Sequence, residues 1–144
     1  MLFKHKKFLV AVYLRLSRED GDKTESDSIA GQRQLIHNYM SDQPNLQFVR
    51  EYVDDGYTGS NFDRPGFIKM MEDVRRQRVN CIIVKDLSRF GRNYIEVGRY
   101  IDKKFPAMGI RFIAINDQYD NANENNDAEQ IIVPFKNLIN DAYC

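Results

Sequence analysis

The sequence has few of the side chains on which many enzyme sites depend. Its 144 residues include two cysteines, Cys81 and Cys144, and two histidines, His5 and His37. Two cysteines so far apart predict neither a disulfide framework nor a metal site. His5 lies in the N-terminal tail, and His37 lies beside the apolar stripe of a predicted helix. The chain therefore lacks a Ser-His-Asp arrangement for nucleophilic catalysis.

Nucleotide-binding motifs and long apolar runs are also missing. The sequence contains neither a Walker motif nor a glycine-rich dinucleotide fingerprint. No apolar run reaches the length of about 18 residues that indicates a transmembrane helix. Lysines before the apolar run at 8–14 imitate the start of a signal peptide, but Arg15 interrupts that run and no small-residue cleavage site follows. We expect a cytoplasmic protein without a membrane partner.

Charge is balanced overall but unevenly distributed. The net charge is zero, which argues against tight nucleic-acid binding by this segment alone. Residues 64–104 nevertheless contain 11 basic and 5 acidic residues, a balance of +6, between two acidic flanks. Such a segment either holds a phosphate locally or forms a solvated mixed surface, and charge counting does not separate the two.

Apolar segments alternate with amphipathic segments along the chain. The period of each pattern predicts strands at 8–14, 46–53, 81–84 and 110–115, and helices at 28–41, from Pro65, at 94–104 and from Pro134. Residues 116–127 are acidic and rich in Asn, and we expect a flexible loop there. The β-α order predicts an α/β fold, with a mostly parallel sheet of four to five strands and helices on both faces.

The length predicts one domain with a single core. We place this domain at 1–133 and interpret 134–144 as the start of a further helix. That helix has no C-terminal cap in the sequence, so we expect it to continue in a longer protein.

Basic side chains follow the predicted strands at the edge where parallel strands end. Arg15 and Ser17 leave the first strand, and Arg64 begins the helix after the second. Arg89 and Arg92 follow the third strand and, three residues apart, would share one face of a helical turn. Ligands of open α/β sheets bind at this edge, so we expect the four arginines and Ser17 to converge on one pocket.

A hydroxyl among four arginines suits phosphoryl transfer at a phosphodiester without a metal ion. Guanidinium groups bind phosphate oxygens in pairs and stabilise the charge that develops in the transition state. The sequence does not decide how Ser17 is activated. Asp55, Gln32 and an arginine-assisted path are the three candidates.

Two of these side chains also have ordinary structural interpretations. Arg64, at a helix N-terminus that favours anions, could instead pair with Asp54, Asp55 or Asp63. Gln32 lies on the apolar face of its helix, either as a core amide bonded to the backbone or as a group turned toward the site.

Four blocks of the sequence resemble the serine recombinases, in order and at that family's spacing. They are Tyr13-Leu14-Arg15-Leu16-Ser17, Asp27-Ser28-Ile29-Ala30-Gly31-Gln32, Asp54-Asp55-Gly56-Tyr57-Thr58-Gly59 with Asp63-Arg64-Pro65-Gly66-Phe67, and Val84-Lys85-Asp86-Leu87-Ser88-Arg89-Phe90-Gly91-Arg92-Asn93. The chain looks most like the catalytic domain of the large serine recombinases of transposons and phages, and its last helix resembles the start of their long interface helix.

The resemblance implies a resolvase-like fold and a DNA recombination reaction. Ser17 would attack a phosphodiester of double-stranded DNA and form a 5′-phosphoserine link, with no cofactor, neither ATP nor metal. Homodimers would assemble into a tetramer that cuts two sites, exchanges the ends and rejoins them.

The resemblance also assigns roles to individual residues. Arg15, Arg64, Arg89 and Arg92 match the family's phosphate-binding arginines, and Gln32 and Thr58 match its supporting positions. We add Asp55 and Ser88 as supporting residues of the predicted site. Ser88 stands where the resolvase and invertase branch has Asp, and Asp86 is a candidate replacement. The rival hypothesis is a non-catalytic flavodoxin-like module that binds a phosphate or nucleotide, which the β-α alternation alone would suit equally well.

Overall fold

The computed structural model describes residues 7–17, 27–123 and 125–142. The strands are β1 (Phe8–Leu16), β2 (Leu46–Asp55), β3 (Cys81–Val84), β4 (Arg111–Ala114) and β5 (Tyr119–Asp120). The helices are α1 (Ile29–Ser41), α2 (Pro65–Arg75), α3 (Leu87–Phe90), α4 (Tyr94–Arg99), α5 (Phe105–Met108) and α6 (Ala128–Ala142), with a π-helical turn at Tyr100–Lys104 between α4 and α5.

One sheet organises the molecule, with strand order β2-β1-β3-β4-β5. The first four strands are parallel and β5 is antiparallel to β4. The carboxyl ends of β1, β2 and β3 therefore lie along one edge of the sheet. Strand β2 is the outermost strand on one side of the sheet, which agrees with the alternation of apolar and polar residues at 46–53.

Helices cover both faces of the sheet, and each face has its own apolar core. On one face, β1 side chains such as Val12 and Leu14 pack against Ile36 and Met40 of α1. On the other face, Ala11 and Tyr13 belong to a larger cluster formed with α2 to α6. Alternate side chains of β1 thus pack into the cores on opposite faces of the sheet. The prediction of an α/β fold with a mostly parallel sheet is confirmed.

Local sequence signals place the helix ends. Ser28 is the N-cap of α1, and its hydroxyl accepts a hydrogen bond from the Gly31 N–H at 2.9 Å. Pro65 is the first residue of α2. Gly109, with a φ of 70°, ends α5 in the left-handed conformation that glycine adopts without strain.

The structure differs from the sequence-based prediction in the last third of the chain. The last helix begins at Ala128, six residues before the predicted start, and Pro134 lies inside it. The predicted flexible loop at 116–127 contains β5, whose Asp120 carboxylate pairs with Arg111 on β4 at 2.7 Å. Both errors arise because tertiary packing overrides local proline and asparagine signals.

Two expectations, those for the N-terminal tail that contains His5 and for Cys144, lie outside the described residues. Within the described ranges, no helix is long and apolar enough to cross a membrane.

Candidate functional site

Strand β1 delivers Arg15 and Ser17 to the carboxyl edge of the sheet. Residues Val10 to Leu14 are fully buried, and the period of two places Arg15 on the same face as Ala11 and Tyr13. Arg15 is 0% exposed and Ser17 is 6% exposed. A charged side chain buried this deeply needs several partners.

The Arg15 guanidinium joins the Ser17 hydroxyl to two loops. Its Nη1 donates to Ser17 Oγ at 3.2 Å and to the Tyr57 carbonyl oxygen at 3.1 Å. Its Nε donates to the Arg89 carbonyl oxygen at 3.1 Å, and its Nη2 donates to the carbonyl oxygen of Ser88. Arg15 thus fixes the loops after β2 and β3 around the hydroxyl.

Gly59 allows the loop after β2 to approach this arginine. A Cβ atom at Gly59 would lie 2.8 Å from Arg15 Nη2 and 2.8 Å from Arg92 Cγ. The Arg92 backbone N–H also donates to the Gly59 carbonyl oxygen at 2.7 Å. Arg15 and Arg92 therefore flank the same glycine, which sequence reasoning did not select.

Gln32 connects α1 to the backbone of the site. Its Nε2 donates to the Arg15 carbonyl oxygen at 3.0 Å and to the Asp27 carbonyl oxygen at 2.8 Å, and the side chain is 0% exposed. Gln32 is therefore both a core amide bonded to the backbone and a group turned toward the site, because one of the carbonyl oxygens that it binds belongs to Arg15.

The loop after β3 is ordered by two carboxylates. Asp86 caps α3, accepting from the Arg89 backbone N–H at 3.0 Å, and its Oδ1 lies 3.4 Å from Arg89 Nε. Asp117 accepts from the Leu87 N–H at 2.7 Å, and burial raises the pKa of its carboxyl group. The helical turn ends at Phe90, and Gly91 is extended. The prediction that Arg89 and Arg92 share one helical face was therefore wrong.

Arg64 lies in an aromatic enclosure and is 1% exposed. Its Nη1 donates to the Tyr13 hydroxyl at 2.7 Å, Nη2 to the Phe90 carbonyl oxygen at 2.8 Å, and Nε to the Asn61 carbonyl oxygen at 2.9 Å. The guanidinium carbon also lies 4.6 Å from the ring centre of Phe62. Arg64 thus supports the residue next to Arg89 rather than contacting Ser17.

Asp54 occupies the N-terminus of α2, where we expected a phosphate. Its carboxylate accepts from the Gly66 N–H at 2.7 Å and the Phe67 N–H at 2.9 Å. It also accepts from the Tyr13 hydroxyl at 2.7 Å, so Tyr13 links Asp54 to Arg64. The anion at this helix N-terminus is the chain's own carboxylate, because Asp54 at the end of β2 faces the first turn of α2.

The remaining predicted residues lie at the rim of the site. Asp55 is exposed, and its carboxylate makes no hydrogen bond within the described part of the chain. Thr58 Oγ1 lies 3.1 Å from Ser60 Oγ. Ser88 contributes its backbone carbonyl oxygen to Arg15. The contacts of Asp55 give no support to a role as general base.

Sequence reasoning missed Tyr13, Asp54 and Lys85 as parts of the site. A tyrosine inside a buried strand signals a partner for its hydroxyl, and burial raises the pKa of Tyr13 above its ordinary value. A lysine directly after the apolar strand β3 gives a similar signal, because buried lysines are almost always paired.

The arrangement favours a nucleophilic hydroxyl that acts on an anion. A hydrogen bond donated by a cation to Ser17 Oγ stabilises the alkoxide form over the neutral hydroxyl. The loops that carry Arg89 and Arg92 meet at Arg15, because the Arg89 carbonyl oxygen accepts from Arg15 Nε and Arg92 lies beside Gly59. A serine that binds a buried arginine at the carboxyl edge of a parallel sheet is a candidate for chemistry on a phosphate.

Comparison with known proteins identifies the family. The model of the family described as resolvase, N terminal domain, matches residues 10–142. The chain therefore belongs to this family, and its resemblance to the serine recombinases is confirmed.

Individual relatives agree with this assignment. A putative DNA recombinase of Bacillus subtilis (strain 168) is 25% identical over 116 residues, which cover 81% of this chain and 22% of that protein's length. The chain thus spans about a fifth of this curated relative.

Solved structures share the fold. The N-terminal catalytic domain of TP901-1 integrase superposes with a TM-score of 0.73 at 21% identity, covering 90% of this chain and 92% of that one. A resolvase family site-specific recombinase from Streptococcus pneumoniae superposes with a TM-score of 0.67 at 25% identity, covering 92% and 85% respectively. The family assignment favours the recombinase interpretation over the flavodoxin-like module.

Proposed function

We propose that this chain is the catalytic domain of a site-specific DNA recombinase that uses Ser17 as its nucleophile. The observation that carries the proposal is the contact from Arg15 Nη1 to Ser17 Oγ at 3.2 Å, at the carboxyl edge of the sheet. Family membership supports DNA as the substrate, and we propose double-stranded DNA that contains a recombination site.

In the proposed reaction, Ser17 Oγ attacks the phosphorus of one phosphodiester. A new bond forms between Ser17 Oγ and phosphorus, and the bond from phosphorus to the 3′ oxygen breaks. The serine proton leaves, and the 3′ oxygen gains a proton to become a free hydroxyl. The 5′-phosphoserine bond keeps the energy of the broken ester, so reversal of the same step rejoins DNA without ATP.

In the proposed reaction the four arginines have different roles, which follow from their contacts. Arg89 and Arg92 stabilise the charge on the non-bridging phosphate oxygens. Arg15 orients the Ser17 hydroxyl and favours its ionised form. Arg64 holds the Phe90 carbonyl and so fixes the loop that carries Arg89, and Asp86 orients Arg89 in place of an acidic residue at Ser88.

We also propose that two chains pair through α6 and that two such dimers form the active tetramer. Two apolar side chains of α6 support this, since Val133 is 57% exposed and Leu138 is 59% exposed. In this proposal the catalytic domain at 1–133 includes the start of α6, which begins at Ala128, and the rest of α6 forms the interface helix. We further propose a cytoplasmic location, where the domain would have access to DNA.

The test uses the full-length protein expressed in cells and isolated under denaturing conditions with any DNA attached to it. We expect a covalent adduct whose attached DNA ends recur at one sequence. The variant Ser17→Ala should form no adduct. Ser41→Ala is the matched control, because Ser41 is exposed at the end of α1, away from the strand ends.

The comparison also needs a check that the variants fold. Ser17→Ala should unfold in one cooperative transition with the wild-type slope in urea, and its midpoint should fall by no more than the loss of one hydrogen bond to Arg15 allows. A folded variant without adduct then shows a chemical effect. An adduct that persists in Ser17→Ala would refute the nucleophile assignment. A wild-type protein without any adduct would refute the proposed reaction.

A further inference from the structure

Lys85 is a buried cation for which the proposed reaction has no role. It follows β3 directly and is 6% exposed. Its ammonium group pairs with Asp27 Oδ1, and it lies 3.6 Å from Asp86 Oδ2. One lysine thus joins a carboxylate that precedes α1 to the carboxylate that caps α3.

Both carboxylates lead to Arg15. On the first path, the Asp27 carbonyl oxygen accepts from Gln32 Nε2 at 2.8 Å, and the same nitrogen donates to the Arg15 carbonyl oxygen at 3.0 Å. On the second path, Asp86 binds the Arg89 backbone N–H at 3.0 Å, and the Arg89 carbonyl oxygen accepts from Arg15 Nε at 3.1 Å. Lys85 therefore closes a ring of contacts that begins and ends at Arg15.

We propose that Lys85 is a positioning residue, which holds the segment before α1 and the α3 turn at a fixed separation and thereby keeps Arg15 aligned with Ser17. Its charge is needed because two partly buried carboxylates face one ammonium group. Loss of that ammonium would leave both carboxylates without their shared cation, and the segments would separate. The catalytic consequence of this alignment rests on the proposed function.

The alternative role for a lysine at this edge is direct binding of the DNA phosphate. The two roles differ in their dependence on Asp27. A positioning lysine acts through Asp27, so removing either partner should have the same effect as removing both. A lysine that binds phosphate would lose its contribution independently of Asp27.

The first experiment needs no DNA and measures amide hydrogen exchange in the full-length protein. Lys85→Met should raise the exchange rate both at 28–33 and at 86–92, while peptides from α2 keep wild-type protection. Lys85→Arg should restore protection in both segments. Lys103→Met is the matched control, because Lys103 is exposed on the π-helical turn. Faster exchange in only one of the two segments, or in neither, would overturn the proposal.

The second experiment measures the rate of adduct formation on a duplex that carries the DNA junction recovered from the wild-type adduct. Lys85→Met should slow adduct formation by about tenfold to a hundredfold, the range for a displaced reacting group. Asp27→Asn should have a comparable effect, and the double variant should be no slower than either single variant. Effects that multiply in the double variant would contradict the positioning role.

These outcomes separate two failures. If the wild-type protein forms no adduct, the proposed reaction fails, and the hydrogen-exchange result still decides whether Lys85 joins the two segments. If the wild type reacts and Lys85→Met reacts equally fast, the proposed reaction survives and the positioning role of Lys85 is wrong.

Discussion

Removal of one oxygen atom, in Tyr13→Phe, tests whether the buried charges beside the site form a connected unit. The Tyr13 hydroxyl donates to Asp54 Oδ2 at 2.7 Å and accepts from Arg64 Nη1 at 2.7 Å. Tyr13 is 0% exposed, and Asp54 and Arg64 are each 1% exposed. Phenylalanine fills the same ring volume, so the substitution removes hydrogen bonds without opening a large cavity.

The expected loss follows from the partners that remain. Asp54 keeps the N–H groups of Gly66 and Phe67, and Arg64 keeps two carbonyl oxygens. Each lost bond involves a charged group, for which about 1.5–3 kcal/mol is typical. We expect the free energy of unfolding to fall by about 3 kcal/mol, at the low end of the sum for two such bonds, because both ions remain partly satisfied.

The assay is urea unfolding of wild type and variant, followed by far-ultraviolet circular dichroism. Tyr57→Phe is the control, because that side chain is 43% exposed and its hydroxyl can bond to water. Tyr13→Phe should lower the midpoint without changing the slope, whereas Tyr57→Phe should leave both unchanged. An unchanged midpoint in Tyr13→Phe would refute the idea that this hydroxyl stabilises the two buried ions.

The dependence of this difference on pH provides an internal check. Burial raises the pKa of Tyr13 above its ordinary value of 10.0. Below pH 10 the phenol is protonated in both folded and unfolded chains, so the difference between wild type and variant should stay constant. Above pH 10 the unfolded wild type ionises first, which lowers the stability of the wild type alone. The difference in free energy of unfolding between wild type and Tyr13→Phe should therefore narrow as the pH rises above 10.

Two further substitutions test other contacts. Gly59→Ala should displace Arg15, because the added Cβ would lie 2.8 Å from Arg15 Nη2 and that nitrogen is bound to the Ser88 carbonyl oxygen. We expect adduct formation to slow by about a hundredfold. A wild-type rate of adduct formation would contradict this displacement. Asp73 has a lowered pKa, because it accepts a hydrogen bond from the Tyr52 hydroxyl at 2.6 Å and lies near three cations. Its contribution to stability is present above its ordinary pKa of 3.8 and is lost as the pH falls through the lower folded value. Asp73→Asn should therefore flatten the acid side of a plot of urea midpoint against pH, and a profile as steep as that of the wild type would show that Asp73 contributes little.

The fold was predictable where one signal dominates. The apolar run at 8–14 and the residues Ser28 and Pro65 placed the starts of β1, α1 and α2 correctly, because burial and capping act over a few residues. Strand β1 continues two residues beyond the predicted end, to Leu16. The start of α6 was not predictable, because Pro134 is a strong local signal for a first helical position. Phe135 and Ile139 of α6 pack into the larger core, and this packing stabilises the helix on both sides of the proline.

The sequence predicted where the candidate residues lie in the fold but not which contacts they make. Position at the strand ends selected Ser17 and the arginines. It did not show that Asp54 rather than a phosphate binds the N-terminus of α2, since Asp54 and Asp55 differ only in which side of β2 they face. That difference is fixed by the irregular register between β1 and β2 near Val10, which the sequence alone does not specify.

Burial separates four arginines that the sequence treats as equal. Arg15 and Arg64 are fully buried, and their guanidinium groups bind backbone carbonyls and hydroxyls, so they order the loops before any substrate arrives. Arg89 and Arg92 lie on the loop that those two arginines hold in place. Carboxylates accompany these cations, because Asp54 is linked to Arg64 through Tyr13, Asp86 lies beside Arg89, and Asp27 pairs with Lys85. Burial of a cation is costly unless it is paired and hydrogen-bonded, so these carboxylates and the backbone carbonyls stabilise the arrangement. We therefore expect Arg15 and Arg64 to keep the loops after β2 and β3 in place in the free chain, before a phosphate binds next to Ser17.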